Sequence, residues 1–231
     1  MQLFRTDKAL TPSWDLVKPA VQLLQDNIWP VFYLSFLPGL VAIVGLILAG
    51  GDPNDATPHL DSRNAFGLLL FLAGAFASVL TYPGFIIAQI RAVDGKHPTP
   101  MESFKAGLPR VVPFILMSLA QMGLILLGLL LFIIPGLILI RGFILAPYYL
   151  VDKKLGPIES LKKSFNASKP HAGWLWGIIG VTIVFGLASS LVGRLPVVGY
   201  LLSMVVSYIY IFAPALRYGE IAQHKKVHIT K

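Results

Sequence analysis

Residues 111–151 read VVPFILMSLAQMGLILLGLLLFIIPGLILIRGFILAPYYLV, an apolar run with one charge, Arg141, and no polar turn. A helix needs about 20 apolar residues to cross a ~30 Å hydrocarbon core, so this run is roughly twice the necessary length. Only Pro135-Gly136 offers a place for the chain to reverse. The run is therefore one long kinked helix or a hairpin of two spans, and the topology of the whole chain depends on which.

The rest of the chain has the same character. Of 231 residues, 55% are apolar and 13% are charged, whereas a soluble domain carries about 25% charge. Six apolar segments run roughly from Trp29 to Ala49, Ala65 to Ile90, Val111 to Leu131, Ile134 to Val151, Trp174 to Val192 and Val197 to Leu216. The first 27 residues hold acids and no continuous apolar core, so they do not read as a cleavable signal. There is no cysteine, which excludes disulfides, thiol catalysis and thiolate metal sites.

Charge decides between kink and hairpin. With six crossings and an internal N-terminus, sixteen of the 19 lysines and arginines fall on the cytoplasmic side. These are Arg5, Lys8 and Lys18; Arg91, Lys96, Lys105 and Arg110; Lys153, Lys154, Lys162, Lys163 and Lys169; and Arg217, Lys225, Lys226 and Lys231. Only Arg63 and Arg194 fall outside, and Arg141 lies within a span. Merging the third and fourth segments would carry the five lysines from Lys153 to Lys169 outside, against the insertion bias. The hairpin is expected. The net charge of +8 follows from that bias and from attraction to anionic head groups, with no nucleic acid required.

Three stretches align with one another: DKALTPSWDLVK from Asp7, DGKHPTPMESFKAG from Asp94 and DKKLGPIESLKKS from Asp152. The ends of the spans also match, as FIIAQIRAVDG, FILAPYYLVDK and YIFAPALRYGE, with Ala88, Ala146 and Ala213 in register. The repeating unit is an amphipathic helix followed by a transmembrane hairpin. The expected fold class is an all-α integral membrane protein of six transmembrane helices in three hairpins, each preceded by a cytoplasmic amphipathic helix. It forms one domain over residues 1–231, with units at about 7–93, 94–151 and 152–220 and a basic tail at 221–231. The prolines open each surface helix, where a missing N–H costs nothing, and an early acid suits the helix start. Trp14, Val17, Val21 and Leu24 share a face, as do Met101, Phe104 and Leu108, and Ile158, Leu161 and Phe165. Such helices are expected to lie in the membrane interface.

The stretch IPGLILIRGFILAPYYLVDKKLGPIESLKKSFNASKPHAGWLW, Ile134 to Trp176, resembles a prokaryotic membrane family. That family is the membrane domain fused to some glycerophosphodiester phosphodiesterases, with its stand-alone relatives. The shared pattern is a Pro-Gly turn, Ala-Pro-Tyr, Val-Asp, Gly-Pro-Ile-Glu-Ser-Leu and an aromatic opening to the next span. The resemblance implies an integral membrane protein of bacterial or archaeal type and no activity, since the phosphodiesterase domain is absent. Pro100-x-Glu102-x-x-Lys105 and Pro157-x-Glu159-x-x-Lys162 also resemble the signature of mitochondrial carriers. The first unit departs from it, with Asp15 one place late, so the match reads as helix-start chemistry.

Little else points to chemistry. His59, His97, His171, His224 and His228 lie in loops or tails. His224 and His228 have metal-pair spacing, but their tail is basic. No HExxH, GxSxG or phosphate-binding glycine loop is present, and the six segments contain no acid, which weighs against ion-coupled transport. Catalytic, cofactor and metal residues are expected to be none. Arg141 reads as snorkelling to the external interface about one turn away, or as a contact for an anionic head group. Lys153, Lys154, Lys162 and Lys163 are the other candidate contacts for anionic lipid or a partner membrane protein. Gly186 with Ser190 and Ser189 with Gly193 have helix-packing spacing. Pro83, Pro147 and Pro214 are expected to kink their spans. The leading expectation is a non-enzymatic scaffold, accessory subunit or lipid-organising module of the cytoplasmic membrane, with both termini inside. A small permease or channel between the hairpins is the alternative, and a membrane enzyme the third reading.

Overall fold

The computed structural model describes residues 10–50, 65–192 and 206–222, and these are helical apart from turns and short links, with no strand among them. Helix α1 covers Val17–Asp26. After Asn27 the chain enters α2, Ile28–Val31, a single wide π-type turn over Phe32–Phe36, and α3, Leu37–Leu48. Together these make one apolar span, Ile28–Leu48. Pro38 has no N–H to give the carbonyl four residues back, and the wide turn sits immediately before it. Helix α4, Ala65–Val93, has 29 residues and rises about 43 Å, more than the hydrocarbon thickness. It packs backbone to backbone on α3: a Cβ at Gly45 would collide with the Phe71 nitrogen, and one at Gly74 with Ala42. Without apolar desolvation to drive association in lipid, such close approach is what holds two spans together.

Helix α5, Pro100–Gly107, begins as its sequence suggests: Pro100 opens it, Thr99 Oγ1 accepts the Glu102 N–H at 3.3 Å, and Glu102 sits in the first turn. A 3₁₀ turn over Leu108–Arg110 leads into α6, Val111–Leu131. The apolar run is a hairpin. Phe132 is extended (φ −160°, ψ 144°), and α7, Ile133–Phe143, returns along α6. The reversal comes before Pro135, which falls in the first turn of α7, where its lost N–H has no partner anyway. Gly128 and Gly136 face each other, with a Cβ on Gly128 placed 3.0 Å from the Gly136 Cα.

Pro147 does more than kink its span. The helix stops at Phe143, turns through Ile144 and Leu145, and restarts as α8, Ala146–Asp152. Helix α9 covers Pro157–Ser168 and α10 covers Ala172–Val192. Of the expected sixth span, residues 197–205 lie outside the described residues. From 206 a short helical stretch turns over residues 209–212, and Pro214 then sits in the first turn of α11, Ala213–Ala222. Pro147 and Pro214 thus both follow a full break, while Pro83 lies inside the continuous α4. A proline removes one helical hydrogen bond and disfavours helical backbone in the residue before it. Neighbouring spans that cover the break make a full stop tolerable.

Five helices among the described residues are long and apolar enough to cross a membrane: Ile28–Leu48, Ala65–Val93, Pro100–Leu131, Ile133–Asp152 and Ala172–Leu191. The best-packed region lies where the C-terminal half of α4 meets α8 and α11. Ala88, Ala146 and Ala213 are all buried there, among Ile86, Leu145, Tyr148, Phe212 and Tyr218.

The three surface helices dock largely by small residues. Helix α5 buries Ser103 and Gly107, α9 buries Ser160, Leu161, Ser164 and Ser168, and α1 buries Pro19 and Ala20 beside Leu16. Gly107 rides on Gly84 of α4. Ser164 and Ser168 both donate to the Gly142 carbonyl of α7, at 2.7 and 3.0 Å. The apolar faces are divided: Leu161 is buried and Phe104 and Phe165 pack against the core, while Trp14, Met101, Leu108 and Ile158 point outward, 59, 61, 43 and 53% exposed. Helix α1 also starts five residues after Pro12, beyond a turn in which Asp15 donates its N–H to the Pro12 carbonyl.

Candidate functional site

The Asp152–Gly156 link joins α8 to α9 through Lys154, which holds a left-handed φ of +54°. That reversal folds α9 back so that Lys153 and Lys163 ring one hollow of about 550 Å³ with Tyr149, Glu159 and Asn166, over Leu155, Ala167, Ile221 and Ala222. Lys153 also pairs with Asp152 at 3.1 Å. Lys154 and Lys162 are exposed but do not line the hollow. Of the five residues singled out in the sequence, the fold brings two together.

Arg141 is the fifth. The chain reverses at Phe132, so Arg141 lies eight residues beyond the first residue of α7, Ile133, or about 12 Å of rise. That is about two turns from the reversal, where about one was expected. Its Nε is buried without a hydrogen-bond partner.

A second polar cluster joins the two ends of the described chain. Arg217, fully buried on α11, donates to Glu220 Oε2 at 2.6 Å and to the Thr11 carbonyl at 2.7 Å. Glu220 Oε1 accepts the Thr11 N–H at 3.0 Å and the Thr11 hydroxyl. Arg217 also stands 5.6 Å over the Trp174 ring of α10, and Tyr210 donates to the Ser13 carbonyl. His171 lies near this cluster. Burial pulls its pKa below 6.5, Arg217 pulls it further, and Glu220 opposes. In the sequence Arg217 counts only toward the cytoplasmic charge bias; nothing local signals a buried pair.

The third cluster lies among α4, α8 and the stretch before α11. Gln89, 1% exposed, donates to the Ile211 carbonyl left open before Pro214 and accepts from Tyr148, both at 2.8 Å. Tyr208 bonds Ser35 at 2.8 Å; Gln89 is closed off by its two partners, and Tyr208 is partly buried. Ser78 and Gln121 border a separate groove of about 540 Å³ between α4 and α6, with Tyr82, Met117 and Met122. It is lined mainly by apolar side chains. Ser189 meets Ser207 at 2.8 Å, which places one of the small-residue positions in packing within the chain.

His97 is exposed on the α4–α5 link, and His59, His224 and His228 lie outside the described residues. Among the described residues, no group of three or more histidines and carboxylates is arranged to hold a metal.

The class is plain: an all-helical membrane protein with several membrane-length helices. Over 94 residues the chain is 33% identical to a UPF0259 membrane protein of Sodalis glossinidius (strain morsitans). That alignment covers 40% of this chain and 37% of the relative, little more than a third of the relative's length. No family model matches the chain, and no solved structure matches it. The similarity is to a membrane protein named without an activity, and it carries no link to the phosphodiesterase-fused membrane domain.

Proposed function

We propose that this chain is a non-enzymatic module of the cytoplasmic membrane that holds lipid or a partner membrane protein through cytoplasmic interfacial helices. The observation that carries this reading is the way α1, α5 and α9 dock. Each attaches largely by small residues, with Leu16 and Leu161 beside them, and large apolar side chains on or next to each helix, Trp14, Met101 with Leu108, and Ile158, face away from the protein. Large apolar side chains beside lysines suit a helix lying at the boundary of head groups and acyl chains.

Six crossings in three hairpins, with both termini cytoplasmic, remain the preferred topology. Matched contacts support the repeat for two of the three units: Gly107 on Gly84 corresponds to Ser164 on Gly142. The sealed setting of Gln89 weighs against a central solute pathway.

The test is charge reversal at Lys162 and Lys163 in reconstituted vesicles. Association with anionic lipid should weaken while insertion stays intact, and solute flux should stay at background for both proteins. Saturable uptake of a solute by the purified protein would replace this reading with the permease.

A further inference from the structure

The hollow between α8, α9 and the end of α11 is chemically more specific than a basic patch. Two ammonium groups, Lys153 and Lys163, share its rim with a carboxylate, Glu159, and an amide, Asn166. Glu159 and Lys163 are four residues apart on α9, the spacing at which such residues pair across a helix turn. Yet the ion pairs among the described residues are Lys153 with Asp152 and Arg217 with Glu220. Lys153 keeps Asp152 beside it, while Glu159 and Lys163 line the hollow without pairing with each other. At about 550 Å³ the hollow falls in the usual range for small-ligand sites. Its base is apolar, with Leu155 and Ile221.

We infer that this hollow binds a phosphate ester that also carries a primary amine, the chemistry of a phosphoethanolamine head group. Lys153 and Lys163 take the phosphate oxygens, with Asn166 donating beside them. Glu159 accepts from the ligand's ammonium, which has three N–H donors. A quaternary amine offers none and fits worse. Ile158 stands one residue before Glu159 on the outward, apolar face of α9, so a lipid in the cytoplasmic leaflet can present its head group here. A soluble phosphoethanolamine can enter by the same opening. The inference rests on the interfacial reading of α9 and adds selectivity for a zwitterionic head group to it.

The full chain in detergent, titrated with phosphatidylethanolamine, phosphatidylcholine and phosphatidylglycerol and read by native mass spectrometry, tests this. Phosphatidylethanolamine should bind several-fold more tightly than phosphatidylcholine. Lys163→Glu and Glu159→Gln should each weaken it by at least about tenfold, the lower end of the range for a single charge-assisted hydrogen bond. Lys162→Glu makes the same charge change on the same helix outside the hollow, and should leave phosphatidylethanolamine within about twofold. Displacement by O-phosphoethanolamine would assign the site to the head group alone, and its failure would assign it to the intact lipid. Equal binding of phosphatidylcholine, or equal losses from Lys162→Glu and Lys163→Glu, would overturn the inference. Binding of phosphatidylglycerol without phosphatidylethanolamine would overturn it and leave the interfacial reading standing. Binding of neither would remove both.

Discussion

Arg217→Leu tests how the two ends of the chain are held together. The side chain is fully buried, donates to Glu220 at 2.6 Å and to the Thr11 carbonyl at 2.7 Å, and lies over Trp174. Removing one partner of a buried ion pair costs about 3–5 kcal/mol, because the other charge is left behind without its counter-ion. Here Glu220 keeps the Thr11 N–H and hydroxyl, so the lower end applies, about 3 kcal/mol. For a chain of this length that corresponds to a melting-temperature loss on the order of 10 °C. Tryptophan fluorescence during heating in detergent reads the shift, and proteolysis at Lys18 reads release of the N-terminal strap. Arg217→Leu with Glu220→Leu removes both charges and should recover most of the loss. If Arg217→Leu melts within about 2 °C of the parent, or the double variant is worse than the single, the pair does not close the fold.

Three further outcomes follow. Gly107→Val drives a side chain into the Gly84 backbone, so it should cost about 1–3 kcal/mol and free α5, seen as faster hydrogen exchange over residues 100–107. His171 has a lowered folded pKa, so its contribution to stability is complete above the unfolded value near 6.5. That contribution is lost as pH falls through the folded value, and His171→Gln should flatten the melting temperature across that window. With no native cysteine, Asp55→Cys should label from outside intact cells and Lys163→Cys should not; labelling at 163 from outside would overturn the topology.

Much of the fold was legible in the sequence because membrane insertion leaves a strong compositional record. Long apolar runs, the lysines that flank them and the matched Ala88, Ala146 and Ala213 segments each predict where chain reversals fall, and the hairpin at Phe132 agrees. Other features were not legible, for separable reasons. Arg217 looks like any basic residue at a span end, and its burial depends on Thr11, Trp174 and Glu220, two of them remote in sequence. The docking faces of α5 and α9 are rich in serine and glycine, which carry little hydropathy, so only Leu161 of the buried positions stands out in the apolar pattern. The separation of Lys163 from Lys162 depends on which face of α9 borders the hollow, which is set by packing and not by local sequence. Gln89 could have been found: it stands where the other two units carry Pro147 and Pro214, and it meets the carbonyl that one of those breaks leaves open.

The central claim is that the cytoplasmic helices lie in the membrane interface with their large apolar side chains immersed. Spin labels at Met101→Cys, Leu108→Cys and Ile158→Cys in reconstituted vesicles measure it directly, through relaxation by oxygen and by a water-soluble nickel chelate. Immersion of about 5–10 Å at all three positions, with a label at Lys162→Cys in water, is the expected result. Labels at positions 101, 108 and 158 that respond to the nickel chelate as strongly as position 162 would contradict it.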